Sequence, residues 1–148
     1  MKTKILFSLL ILGVFMSVPT VEAQSKPAKN TDAYEYLEKS TKFAVMIPDA
    51  QHFIVGVETG ERMDLKKNGY KFELVIVGPL AKEIVENEEL KAVLDRGEKA
   101  GMDFSICEYA LDLMEVDKSK VDKRIKIVPN AWLRRFELKD KGYNAIRS

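Results

Sequence analysis

Tyr70-Lys-Phe-Glu-Leu-Val-Ile-Val77, followed at once by Gly78-Pro79, is the stretch that decides the fold. A short run this rich in β-branched and aromatic residues reads as a strand covered on both faces, as strands of parallel sheets are. It is the strongest strand signal in the chain and predicts a central position. Gly78-Pro79 turns the chain out of it. Upstream, Phe43-Ala-Val-Met-Ile47 is a second run of the same kind, closed by Pro48. Between the two, Asp49 to Lys67 is predicted to be one helix, stopped by Asn68-Gly69. Gly56 and Gly60 lie inside that helix, where a missing side chain allows close packing.

Downstream of Pro79, Leu80, Ile84, Leu90, Val93 and Leu94 make an apolar stripe that reads as one amphipathic helix through Ala100. Glu86, Glu88, Glu89, Lys91 and Asp95 occupy its solvated side. Gly101 ends it. Met102, Phe104 and Ile106 then alternate with Asp103 and Ser105, which predicts a third, less buried strand. A short helix is expected from Cys107 through Leu113, a polar connection over Asp117 to Lys123, and a fourth strand at Ile125-Lys-Ile-Val128. Pro129-Asn130 opens a last helix carrying Trp132, Leu133, Phe136 and Leu138, which stops at Lys141-Gly142. Trp132 and Phe136, four residues apart, read as core or interface packing. Strands alternating with helices predict a single three-layer α/β domain with a mostly parallel sheet of four to five strands, flavodoxin-like in architecture.

The amino-terminal segment reads differently. Lys2 and Lys4 precede an apolar run from Ile5 to Val18, and Val21-Glu22-Ala23 places small residues at a cleavage point, the layout of a secretory signal peptide over 1–23. The run is shorter than the roughly 20 apolar residues a bilayer span needs. No cysteine stands near the cleavage point to carry a lipid. Removal leaves about 125 residues, within the usual single-domain range of about 100–150. Residues 24–40 read as a linker or arm, with a helix start near Asp32, and 41–148 as the domain. Lys2, Lys4 and Glu22 leave with the leader, taking the formal net charge from +1 to zero. That balance favours neither nucleic acid nor an anionic membrane as a partner. The mature protein is expected to be periplasmic or secreted. Its one cysteine excludes an internal disulfide, so stability must come from packing.

Each strand runs straight into a helix start: Ile47-Pro48-Asp49, Val77-Gly78-Pro79, Ile106-Cys107-Glu108 and Val128-Pro129-Asn130. In a parallel sheet these junctions share the carboxyl edge, where open α/β folds place their ligand crevice. Cys107 is on that edge, with Gly78, Asn130 and Glu108 as candidate ligand-binding neighbours. A thiol in the first turn of a helix faces unpaired N–H groups, which favour the thiolate. The adjacent Glu108 acts in the opposite sense if its carboxylate turns toward the sulfur. Two readings of Cys107 therefore stand: a small buried residue closing a strand, and a reactive thiol. His52, the only histidine, sits in the first turn of the first helix and is either a base at the same edge or a half-exposed helix residue. One Cys and one His do not make a zinc site, and no pair has helical metal spacing, so no metal is expected. No phosphate loop follows a strand, no cofactor is indicated, and no G-x-S-x-G elbow supplies a serine nucleophile.

Met102-Asp-Phe-Ser-Ile-Cys-Glu-Tyr-Ala-Leu111, with Phe72-Glu-Leu-Val-Ile-Val-Gly-Pro79, Ile127-Val-Pro-Asn130 and Lys141-Gly-Tyr143, resembles in order and spacing the DsrE/DsrF-like (DsrEFH) family of small sulfur-handling proteins. The resemblance spans about Lys42 to Arg147. It implies a DsrEFH-like fold, with Cys107 at the position of the family cysteine that holds a persulfide and passes sulfur between partners. It also implies a homo-oligomer, trimer or hexamer, and a sulfur donor or acceptor protein as partner. The chain departs from the family twice. Leu113-Met114-Glu115 stands where relay members carry an Arg-Gly pair, and the export signal sets it apart from relay members that work in the cytoplasm. The expectation is thus an exported sulfur carrier. Its rivals are a non-catalytic interaction or small-ligand module on the same scaffold, and a redox enzyme that borrows a partner's resolving cysteine.

Overall fold

The computed structural model describes residues 40–148. The expected leader, the expected arm up to residue 39 and the helix start near Asp32 lie outside the described residues. Five strands, β1 (Lys42–Ile47), β2 (Lys71–Ile76), β3 (Asp103–Cys107), β4 (Ile125–Val128) and β5 (Asn144–Arg147), form one sheet in the order β4-β3-β2-β1-β5. Every pairing is parallel. The register aligns Val45, Leu74, Phe104 and Ile125 in one row, and Met46, Val75, Ser105 and Lys126 in the next. Because side chains alternate across a strand, these rows face opposite sides of the sheet.

The first row is covered by α1 (Ala50–Arg62), α3 (Leu80–Glu86) and α4 (Glu88–Ala100). Steps from β1 through β4 all advance in one direction, and right-handed crossovers put their helices on one face. A Cβ added at Gly56 of α1 would meet Ile47 and Leu74 at 3.1 Å, so backbone lies almost directly on the sheet there. From β4 the chain reverses. α6 (Ala131–Asp140) carries it back across the second face, over β2 and β1, to β5 at the far edge. Phe53, Leu74, Ile76, Leu94 and Ile106 are fully buried in the core, each contributing roughly 1.5–3 kcal/mol of transfer free energy.

The expected helix from Asp49 to Lys67 is two helices, α1 and the short α2 (Leu65–Asn68). Asp64 between them takes a left-handed conformation with φ 47°, which no continuous helix accommodates. The helix expected from Leu80 through Ala100 is also two. Asn87 is extended, and its side chain accepts a hydrogen bond from the Glu89 N–H at 2.9 Å, so it caps a fresh helix with Glu88 and Glu89 in the first turn. Period alone did not show the break, because both helices keep their apolar residues on the same face.

The expectation that β3 is the less buried strand is wrong. Ser105 is fully buried, because its hydroxyl donates to the Glu73 carboxylate at 2.7 Å on the face under α6. A polar alternation here marks a hydrogen-bonded interior, not a solvated face.

Candidate functional site

A cavity of about 290 Å³ opens at the carboxyl edge of the sheet, on the α6 side. Its wall draws on β1 (Met46), the turn after β2 (Val77 and Gly78), the end of β3 (Cys107), α5 (Glu108–Leu113) through Tyr109 and Leu113, the start of α6 (Asn130 and Trp132), and β5 (Arg147). The strand-to-helix junctions after β2, β3 and β4 therefore converge on one space.

Gly78 holds φ 57°, a left-handed conformation that costs any L side chain energy. That turn lets the Leu80 N–H reach the Pro48 carbonyl at 3.1 Å, tying the β2 and β1 ends together beside the cavity. Asn130 caps α6: its Oδ1 accepts from the backbone N–H groups of Trp132 at 2.8 Å and Leu133 at 3.3 Å.

Cys107 is the last residue of β3 and the N-cap of α5, and it makes no side-chain capping hydrogen bond. It is 5% exposed and a free thiol, yet it belongs to the cavity wall. The residue thus closes a strand within the core, as the buried reading has it, and also borders a cleft. Glu108, expected at the edge of the crevice, does not line that cleft, because its carboxylate turns away to an ion pair. Its carboxylate lies 2.8 Å from the Lys118 ammonium, which reaches Asp112 at the same distance. Those two carboxylates, Asp112 foremost, raise the Lys118 pKa. The Glu108 charge is thus partly offset by an ammonium that it shares with Asp112.

His52 is not brought to Cys107. Its Nδ1 lies 2.9 and 2.8 Å from the two Asp49 carboxylate oxygens, and the ring is exposed outside the cavity wall. Hydrogen bonds from the His52 backbone and ring lower the Asp49 pKa. The pair closes the first turn of α1.

Sequence reasoning missed Arg147 and assigned Trp132 to packing. Trp132 is 46% exposed, and the guanidinium carbons of Arg147 and Arg135 lie 5.9 and 6.0 Å from its ring centroid, cation–π distances. Arg147 escaped notice because β5 was not read. The signal was there, in the alternation that follows the Gly142 stop and buries Ala145 between exposed Asn144 and Ile146. Among the described residues no group of three or more His, Cys, Asp or Glu is placed to hold a metal ion. No described helix is long and apolar enough to cross a membrane.

Fold and cavity together define a single α/β domain with an all-parallel, five-stranded sheet and a ligand-sized cleft at its carboxyl edge. The chain is similar in structure to a protein of unknown function, MTH1491, from Methanobacterium thermoautotrophicum, with a TM-score of 0.61 and 13% identity, over 72% of this chain and 96% of that one. At that identity the likeness is one of fold. No family model matches the chain, and no curated protein matches it.

Proposed function

We propose that this is an exported DsrE-like protein that carries a sulfur species as a persulfide on Cys107. The observation that carries the reading is the position of that thiol on the wall of a cleft at the carboxyl edge, where the DsrE-like pattern has its cysteine. The first turn of α5 has no side-chain cap, so its leading N–H groups are open to negative charge on the sulfur.

Loading from a polysulfide is a displacement. The Cys107 thiolate attacks the terminal sulfur of the chain, an Sγ–S bond forms, and the adjacent S–S bond breaks. Its electron pair leaves on the shortened polysulfide, which takes up the proton lost by the thiol. Sulfane sulfur changes owner and no outside oxidant is required. Delivery to an acceptor thiol reverses the roles. The protein is a carrier before it is a catalyst, and a donor or acceptor protein and a homo-oligomer, trimer or hexamer, belong to the same proposal.

Intact-mass analysis after exposure to polysulfide tests it. The expected result is addition of sulfur to the wild type and none to Cys107→Ser. Equal addition to both, or none to either, overturns the reading. A second reading, a non-catalytic interaction module, is favoured by Leu133 and Phe136, which α6 leaves largely exposed beside Trp132. It gains if sulfur uptake fails while the protein still assembles.

A further inference from the structure

We propose that the cavity beside Cys107 binds a small organic anion, a carboxylate or sulfonate whose charged end pairs with Arg147 and whose apolar body lies along Trp132. Among the described residues Arg147 is the only charged side chain on the cavity wall. The arginines at 96, 124 and 134 are each matched to a carboxylate. Arg147, like Arg62 and Arg135, has no such partner among the described residues; what sets it apart is its place on the cavity wall, with its guanidinium over the face of Trp132. A guanidinium held over an indole keeps its in-plane N–H donors directed outward, ready for the two oxygens of an oxoacid.

The remainder of the wall sets the shape and polarity of the ligand. Met46, Val77, Leu113 and the Tyr109 ring give a largely apolar surface. A space of about 290 Å³ is at the lower end of small-molecule sites, of the order of 300–1,000 Å³, and holds a ligand of around ten to fifteen heavy atoms. Inorganic anions leave the apolar wall uncovered, whereas an anion with a compact hydrocarbon body matches both parts. The backbone of Arg147 is held by the sheet, since β5 pairs it with Met46 on β1 and the Ser148 N–H donates to the Met46 carbonyl at 3.2 Å, while its side chain is exposed at the mouth of the cavity. Where this rests on the carrier reading, it names the class of the sulfur donor or acceptor: an organic sulfur compound bearing a carboxylate or sulfonate. Anion binding itself needs no sulfur chemistry.

Trp132 is the only tryptophan in the chain, so its emission reports directly on the site. Benzoate and its neutral isostere benzamide are titrated into the full-length mature protein, with calorimetry in parallel so that a silent fluorophore is not mistaken for absent binding. The expected result is saturable benzoate binding, weakened about tenfold or more by Arg147→Gln, partly restored by Arg147→Lys, and about tenfold or more weaker for benzamide. No binding by either method, equal affinity for the two probes, or an unaltered affinity in Arg147→Gln overturns the inference. Neither probe carries transferable sulfur. Loss of anion binding with sulfur uptake intact removes this inference alone, and the converse removes the carrier reading alone.

Discussion

The Arg134 guanidinium grips Glu73 in a fork, Nε to Oε1 at 2.9 Å and Nη2 to Oε2 at 2.7 Å, with side-chain exposures of only 10% and 4%. Ser105 adds a third hydrogen bond to the same carboxylate, and Arg134 Nη1 donates to Glu137 at 2.7 Å. This network pins α6 to the middle of the sheet. The first turn of α6 carries Asn130 and Trp132, so the same lock sets their position opposite Cys107.

Removing one partner leaves a buried charge uncompensated. Glu73→Ala and Arg134→Ala are each expected to cost about 3–5 kcal/mol in urea unfolding, whereas the double change to Leu and Met, which replaces the pair with apolar volume, costs clearly less than the sum. Additive losses would show that the two side chains stabilise the fold independently.

The acid limb of stability has an identifiable contributor. Arg124 donates from Nε and Nη2 to the Asp122 carboxylate at 2.9 and 2.7 Å, and these bonds hold the Asp122 pKa down at about 2. A folded pKa below the unfolded one gives stability that is complete above the unfolded value and is lost as the pH falls through the folded one. Asp122→Asn should therefore cost up to ~1 kcal/mol at pH 7, by a margin that shrinks steadily between pH 4 and pH 2. A margin independent of pH contradicts this assignment.

Close crossing of α1 and α4 depends on two glycines that differ in what stands over them. A Cβ at Gly97 would sit 2.5 Å from the ring of Phe104, while one at Gly60 would sit 2.5 Å from the Met102 sulfur, near the end of a flexible chain. Gly97→Ala is expected to lose about 1–3 kcal/mol despite the better helix former, and Gly60→Ala to stay within ~1 kcal/mol of the wild type. Equal effects in thermal unfolding would remove the distinction.

Much of the fold was legible because β1 from Phe43 to Ile47 and β2 from Leu74 to Ile76 are unbroken apolar runs bounded by turn residues, as strands covered on both faces are. What escaped was long-range. Nothing near Ser105 in sequence announces that Glu73, 32 residues away, will bury it. β5 is four residues long, so its alternation is a faint signal beside the long runs of β1 and β2, yet it supplies the only charge on the cavity wall among the described residues. At the site, the strand-end pattern located Cys107, Gly78 and Asn130 together. His52 was drawn in by rarity, and Asp49 next to it explains its place as helix capping.

The proposed oligomer also has a surface to test. Leu133 and Phe136 are 64% and 55% exposed on α6, an area of apolar surface that association would cover. Light scattering on the protein should give a multiple of the protomer mass, trimeric or hexameric, and Leu133→Glu with Phe136→Glu should reduce it to the protomer without loss of helical signal. A monomer at every concentration contradicts the oligomer.

Sulfur transfer on Cys107 requires that an atom closing an inner strand still be reached through the cleft. Labelling folded protein with a small uncharged thiol reagent, against a urea-unfolded control, measures this directly. Cys107 is expected to react in the native state at a rate that does not follow global unfolding, and to be slowed by an occupant of the cavity. Reaction that appears only as the protein unfolds, with the same denaturant dependence as loss of structure, would contradict it.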